Sequence, residues 1–206
     1  VDANLPPSCD GLKLAAREIG ATQIQNRGTI AGNLCNASPA ADGVPPLQTL
    51  NAEVRLQGHV GSRRIPLRDF ITGPRQTVLQ PDELVTGVFL PDAALTGQGH
   101  FLKLGARRYL VISIAMTAAR LRIEDRIVTE AALAIGSCGP VGTRVPAAEA
   151  ALVGAPLDPA RVTDDLVAEA ISPIDDVRAD AAYRTRAAGE LIRRTLAAIT
   201  PATVAA

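Results

Sequence analysis

Apolar residues recur at helical spacing over residues 11–20. Leu12, Ala15, Ala16 and Ile19 share one face, and Gly20 supplies a stop. The pattern then breaks. Residues 24–46 carry Gly28, Gly32, Pro39, Gly43, Pro45 and Pro46 among small polar side chains, which predicts a loop with short helical turns. Irregular stretches of that length in compact domains tend to be functional. Residues 52–58 alternate as a half-buried strand does. Gly58 and Gly61 turn the chain, and Arg63 to Leu67 return it as a hairpin. Residues 83–90, between Pro81 and Pro91, predict a further strand. The segment 91–99, with Pro91, Gly97 and Gly99, marks a boundary between two units.

Beyond it the period changes. Residues 99–105, 111–123 and 127–136 read as three strands, and Gly136 to Gly142 as a turn. Helical patterns follow at 146–152, 162–171 and 178–199. The apolar stripe of the last helix is Ala181, Ala182, Thr185, Ala188, Leu191, Ile192 and Leu196. Three strands followed by three helices predict an α+β arrangement, a three-stranded antiparallel sheet with helices on one face. Asp175 and Asp176 suit the N-terminus of the last helix. Arg178, Tyr183 and Arg184 suit its attachment to the sheet or to a partner.

Composition narrows the function. The 206 residues contain 21 basic and 21 acidic side chains and 2% aromatics, with no Trp. Zero net charge gives no electrostatic case for nucleic acid or an anionic membrane. So few aromatics supply no stacking platform for single strands. Arginine outnumbers lysine 19 to 2, as a GC-rich genome would write it. Cys9, Cys35 and Cys138 are widely spaced and odd in number, which argues against a disulfide framework or a structural zinc site. A reducing, cytoplasmic compartment is expected. No apolar run approaches the roughly 20 residues of a membrane span. The opening Val1-Asp2-Ala3-Asn4 lacks Met and a basic start; it reads as no signal peptide and as a fragment or processed chain.

The run Gln25-Asn26-Arg27-Gly28-Thr29-Ile30-Ala31-Gly32-Asn33-Leu34-Cys35-Asn36-Ala37-Ser38-Pro39-Ala40-Ala41-Asp42 carries the chemistry. Gly28 and Gly32 let backbone approach a ligand closely. Thr29, Asn33 and Ser38 add short hydrogen-bonding side chains. Consecutive free N–H groups in such turns hold anions, typically phosphate. With Arg27 as the only cation, a diphosphate would rest mainly on backbone dipoles, and Asp42 could accept hydrogen bonds from ligand hydroxyls. Neither GxGxxG nor GxxxxGK[ST] is present. On these residues alone, a plain connecting loop remains an equal reading.

The same run closely resembles the second FAD-binding segment of the molybdenum hydroxylase flavoproteins, the medium subunits of carbon monoxide and xanthine dehydrogenase-type enzymes. Arg64-Ile65-Pro66-Leu67-Arg68-Asp69-Phe70, Asp82-Glu83-Leu84-Val85, Phe101-Leu102-Lys103-Leu104-Gly105-Ala106-Arg107-Arg108 and Pro173-Ile174-Asp175-Asp176-Val177-Arg178 extend the likeness over the chain. It implies the second lobe of a PCMH-type FAD-binding domain at 1–95 and the family's C-terminal domain at 96–206. It implies FAD held here, with molybdopterin in a large partner subunit and [2Fe–2S] clusters in a small one. Electrons would pass from those clusters through FAD to NAD, oxygen or another acceptor.

Residue by residue, Thr29, Ile30, Ala31, Gly32 and Asn33 match the segment whose backbone wraps the diphosphate. Asp42 matches an acidic residue bonded to the cofactor, and Lys103 a lysine near the flavin ring. Ile19 and Val85 match apolar positions against the cofactor. Taken alone, Ile19 and Val85 also fit a core, Lys103 a strand edge, and Asp42 a cap for a helix near Pro45. The family's first glycine-rich lobe is not in the sequence given. Ala31 stands where Gly is usual, and Tyr109-Leu110-Val111-Ile112 where acidic residues are frequent. A cofactor-free remnant serving as a scaffold is the alternative function.

Overall fold

The computed structural model describes residues 4–199. The N-terminal and C-terminal residues named above, Val1 to Ala3 and those after Ile199, lie outside them. Helix α1 (Asp10–Glu18) ends at Gly20, whose φ of +58° is the left-handed turn that reverses the chain. Three short helices follow, α2 (Thr22–Gln25), α3 (Ile30–Asn36) and α4 (Val44–Thr49). They are the helical turns expected between 24 and 46.

Strands β1 (Glu53–Gln57) and β2 (Ser62–Pro66) form the expected hairpin. A short helix α5 (Leu67–Phe70) and the two-stranded ribbon β3 (Ile71–Gly73) and β4 (Gln76–Thr77) lead to β5 (Leu84–Phe89). The first sheet has the order β2-β1-β5 and is antiparallel. Alternation in β1 buries Val54 and Leu56 against Leu34, Leu47, Leu67 and Phe70 and leaves Arg55 and Gln57 outside.

The second sheet comprises β6 (Gln98–Leu104), β7 (Ala115–Glu124), β8 (Ile127–Gly136) and β9 (Thr143–Arg144), in that order. It has four strands where three were expected. The two-residue β9 sits in a Gly/Pro-rich turn, too short for any period to register. Strand β7 starts at Ala115 rather than at residue 111, because residues 105–112 form an exposed loop with Leu110 at φ +52°.

The expected single helical face is also corrected. Ala119 and Leu121 of β7 meet one helical layer, α6 (Pro146–Leu152), α7 (Asp164–Ala168) and α8 (Ala181–Ala197). Met116 and Ala118 meet Ala15 of α1 on the opposite face. There Arg120 donates from Nε to the Thr49 carbonyl of α4 at 3.0 Å. A strand covered on both faces reads as a continuous apolar run, which is why its pattern could not show the second layer.

Helix α8 is capped by Asp180, whose Oδ1 accepts from the Tyr183 amide at 2.6 Å, and Asp175 accepts from the Ala181 amide. Ala182, placed on the apolar stripe, is exposed. Arg184 is buried instead and donates to the carbonyls of Ile114 and Ser137 and to Asp176. It therefore fastens α8 to the second sheet, as expected of it.

Candidate functional site

Thr29 starts α3. Its Oγ1 accepts from the Gly32 amide at 2.9 Å, and its carbonyl accepts from the Asn33 amide at 3.0 Å. The amides of Ile30 and Ala31, the first two helical positions, have no intrahelical acceptor. Ala31 has right-handed helical backbone, so its methyl is accommodated where glycine is usual. These groups border a cavity of about 590 Å³ whose walls include Leu12, Ile19, Ile24, Arg27, Gly28 and Asn33. A second cavity of about 350 Å³ shares Ile19, Ile24 and Asn33 and is floored by Asp42 and Lys103. Together they make one groove of ligand-binding size.

Close packing shapes its centre. Asn33 Oδ1 is buried without a hydrogen-bond partner. A β-carbon on Gly43 would lie 2.8 Å from that oxygen, so glycine is what leaves Asn33 its place. A buried acceptor left unmatched is costly unless a ligand or water completes it.

At the other end, Lys103 Nζ donates to Asp42 Oδ2 at 2.7 Å and Ser113 Oγ donates to Asp42 Oδ1 at 2.8 Å. The Lys103 and Asp42 side chains are 6% and 8% exposed. Burial pushes the Asp42 carboxyl above its ordinary value, against the opposing pull of Lys103 and Ser113. Asp42 does not cap α4, whose N-cap is Gly43. The loop residues Leu110, Val111 and Ile112 cover this end, and Leu110 and Ile112 are more than half exposed. The arrangement offers an apolar slot with a buried, neutralised ion pair at one end and open backbone amides at the other.

The structure thus gathers Ile19, Thr29, Ile30, Gly32 and Asn33, then Asp42 and Lys103, around one groove. Ala31 lines neither cavity by its side chain. Val85 stands apart: it packs against the core under the first sheet, the second of the two roles its pattern allowed. Ser113 and Ile24 went unnoticed in the sequence. Only the pairing of Ser113 with an aspartate 71 positions away reveals it.

Cys138 is buried, and burial pushes its thiol up to about 11, so it is not a reactive thiolate at neutral pH. Among the described residues no cluster of three or more His, Cys, Asp or Glu could hold a metal, and no helix is long and apolar enough to cross a membrane.

A slot that joins free amides to a buried polar floor suits a ligand with an anionic and a hydrogen-bonding end. Residues 2–93 match the family described as the FAD binding domain in molybdopterin dehydrogenase, and residues 100–199 match the CO dehydrogenase flavoprotein C-terminal domain. The nicotine 6-hydroxylase medium subunit of Paenarthrobacter nicotinovorans is 36% identical over 187 residues, 88% of this chain and 64% of that one. The nicotinate dehydrogenase FAD-subunit of Eubacterium barkeri is 37% identical over 147 residues, 69% of this chain and 50% of that one. Among solved structures, carbon monoxide dehydrogenase from Hydrogenophaga pseudoflava superposes with a TM-score of 0.85 at 29% identity, covering 92% of this chain and 67% of that one. The chain belongs to the FAD-binding medium subunits of the molybdenum hydroxylases. It spans 64% and 50% of the lengths of those two curated relatives.

The family's cofactor is FAD, and the residues present fit it. The unmatched Asn33 Oδ1 and the room kept by Gly43 describe a wall built against a polar ligand.

Proposed function

We propose that this chain carries FAD in its groove and serves electron transfer in a molybdenum hydroxylase. A large partner subunit would hold molybdopterin, and a small one the [2Fe–2S] clusters that feed the flavin. NAD, oxygen or another acceptor would take the electrons. Residues 1–95 would be the second lobe of the FAD-binding domain and 96–206 the C-terminal domain; the extents of the two family matches support this division. Cytoplasmic residence belongs to the proposal and rests on the sparse, unclustered cysteines.

Bound FAD supplies the redox chemistry, accepting and releasing electrons. The chain's own residues bind and orient. The amides of Ile30 and Ala31 face an anionic group such as the diphosphate. Asn33 Oδ1 accepts a hydrogen bond from a ligand donor. Lys103, held by Asp42, fixes a polar, charge-balanced floor at the groove's buried end, where its ammonium can donate to a ligand acceptor. Leu110 and Ile112 border that end as an exposed apolar rim.

The observation that carries this reading is the buried, unmatched Asn33 Oδ1 inside a groove of the right size. The test is a visible absorption spectrum after incubation with FAD and desalting, without and with the family's N-terminal lobe supplied. A retained flavin band, lost in Asn33→Leu, is expected. No retained flavin under either condition would leave the scaffold reading in its place.

A further inference from the structure

The outer face of the β2-β1-β5 sheet has a groove of about 490 Å³ that shares no residue with the FAD site. Its centre is a row across three strands. Arg64 of β2 is the register partner of Arg55 of β1, and Arg55 is the partner of Gly87 of β5. Register partners project from the same face, a few ångströms apart, and like charges directly opposite are destabilising.

Arg55 is held by neutral partners, and Arg64 by an aromatic ring and one carboxylate. Arg55 Nε donates to Thr86 Oγ1 at 3.2 Å. Its Nη2 lies over Gly87, 3.7 Å from where a β-carbon would stand. Among the described residues Arg55 has no carboxylate partner. The Arg64 guanidinium stacks 4.4 Å from the Phe89 ring centre, and Glu53 reaches its Nη1 only at 3.5 Å. Arg63, at the groove's edge, is fully engaged by Glu83 through two bonds of 2.6 and 2.7 Å.

We propose that this groove binds the oxyanion group of a small molecule, with Arg55 and Arg64 as its two cations, Gly87 leaving room for the Arg55 guanidinium and Phe89 as an apolar wall. The Nε bond of Arg55 leaves its outer N–H groups available, and the stacked Arg64 guanidinium keeps Nη2 available, for hydrogen bonds to phosphate or carboxylate oxygens. As like-charged register partners the two arginines are unfavourable neighbours, and an anion bound by both relieves that cost.

The test is calorimetric titration of the purified chain with inorganic phosphate and, separately, with citrate, at an ionic strength held constant with sodium chloride. Saturable binding of one equivalent is expected, weakened about tenfold or more by Arg55→Gln and by Arg64→Gln. Saturation by phosphate alone assigns a phosphorylated ligand, and by citrate alone a carboxylate. A second readout needs no binding curve. Without either anion Arg55→Gln should melt higher than the unaltered chain, and the effective anion should raise the melting temperature of the unaltered chain more than that of the variant. Absence of saturation by both anions up to about 10 mM, or binding by either variant as tight as by the unaltered chain, overturns the proposal. Either result leaves the FAD reading untouched, because flavin retention is measured at other residues.

Discussion

Lys103→Met removes the cation from a carboxylate that is only 8% exposed. Breaking a buried pair by deleting one partner costs about 3–5 kcal/mol. Here the cost has a ceiling set by pH, because the carboxyl can take up a proton instead of remaining charged. Burial already holds Asp42 above its ordinary value, with Lys103 pulling it down. Removing Lys103 raises it further. A carboxyl whose folded-state value is raised holds a proton that the unfolded chain has released. Its contribution to stability therefore falls as pH rises from the ordinary carboxylate value to the raised one, by about 1.4 kcal/mol per unit.

The variant should accordingly be destabilised most at pH 8 and least at pH 5. At about 2–4 °C per kcal/mol for a chain of this size, the loss at pH 8 is roughly 6–20 °C in melting temperature. Urea unfolding and thermal melts at both pH values measure it. Asp42→Asn in the Lys103→Met background should recover much of the loss at pH 8 and little at pH 5. A penalty below about 1 kcal/mol, or one that does not depend on pH, would refute the buried-pair argument.

Gly43→Ala sets a methyl 2.8 Å from Asn33 Oδ1; it should weaken FAD retention while leaving the far-UV circular dichroism spectrum unchanged, as desalting and spectroscopy would show. Cys35 is exposed whereas Cys9 and Cys138 are buried. Alkylation at pH 8 followed by intact-mass measurement should add one label to the folded chain and three to the chain in denaturant. The Asp176 carboxyl is held down at about 2, first by the Arg178 amide and then by Arg184. A lowered value contributes stability above the ordinary carboxylate range that is lost as pH falls toward 2. Asp176→Asn should therefore lower stability at neutral pH and flatten its acid dependence between about pH 4 and pH 2, as read from acid titrations of tryptophan-free circular dichroism.

Element positions were legible wherever period and punctuation agreed. The hairpin of β1 and β2 follows from alternation around Gly58 and Gly61, and α1 from its single apolar face. What failed was anything that depends on partners. The two residues of β9 carry no period. The two-sided cover of β7 is invisible because both faces are apolar. Arg184 was expected to attach the last helix, but its carbonyl acceptors, Ile114 and Ser137, were not legible. At the site, the segment from Thr29 to Asn33 was legible from its residue types and from resemblance. Ser113 was not, because nothing near it in sequence announces the aspartate it bonds. Val85 satisfied two patterns equally, and packing assigned it to the core.

The Asp42–Lys103–Ser113 cluster joins residues 61 and 71 positions apart. Contacts of that separation form only after the loop-closure entropy between them has been met, so they form late in folding. On a ribosome the groove floor cannot exist until Ser113 has left the exit tunnel and β6 has met β7. Under the proposed reading, cofactor capture is thereby tied to completion of the second sheet: a chain arrested before that point would have the glycine-rich segment but no groove floor.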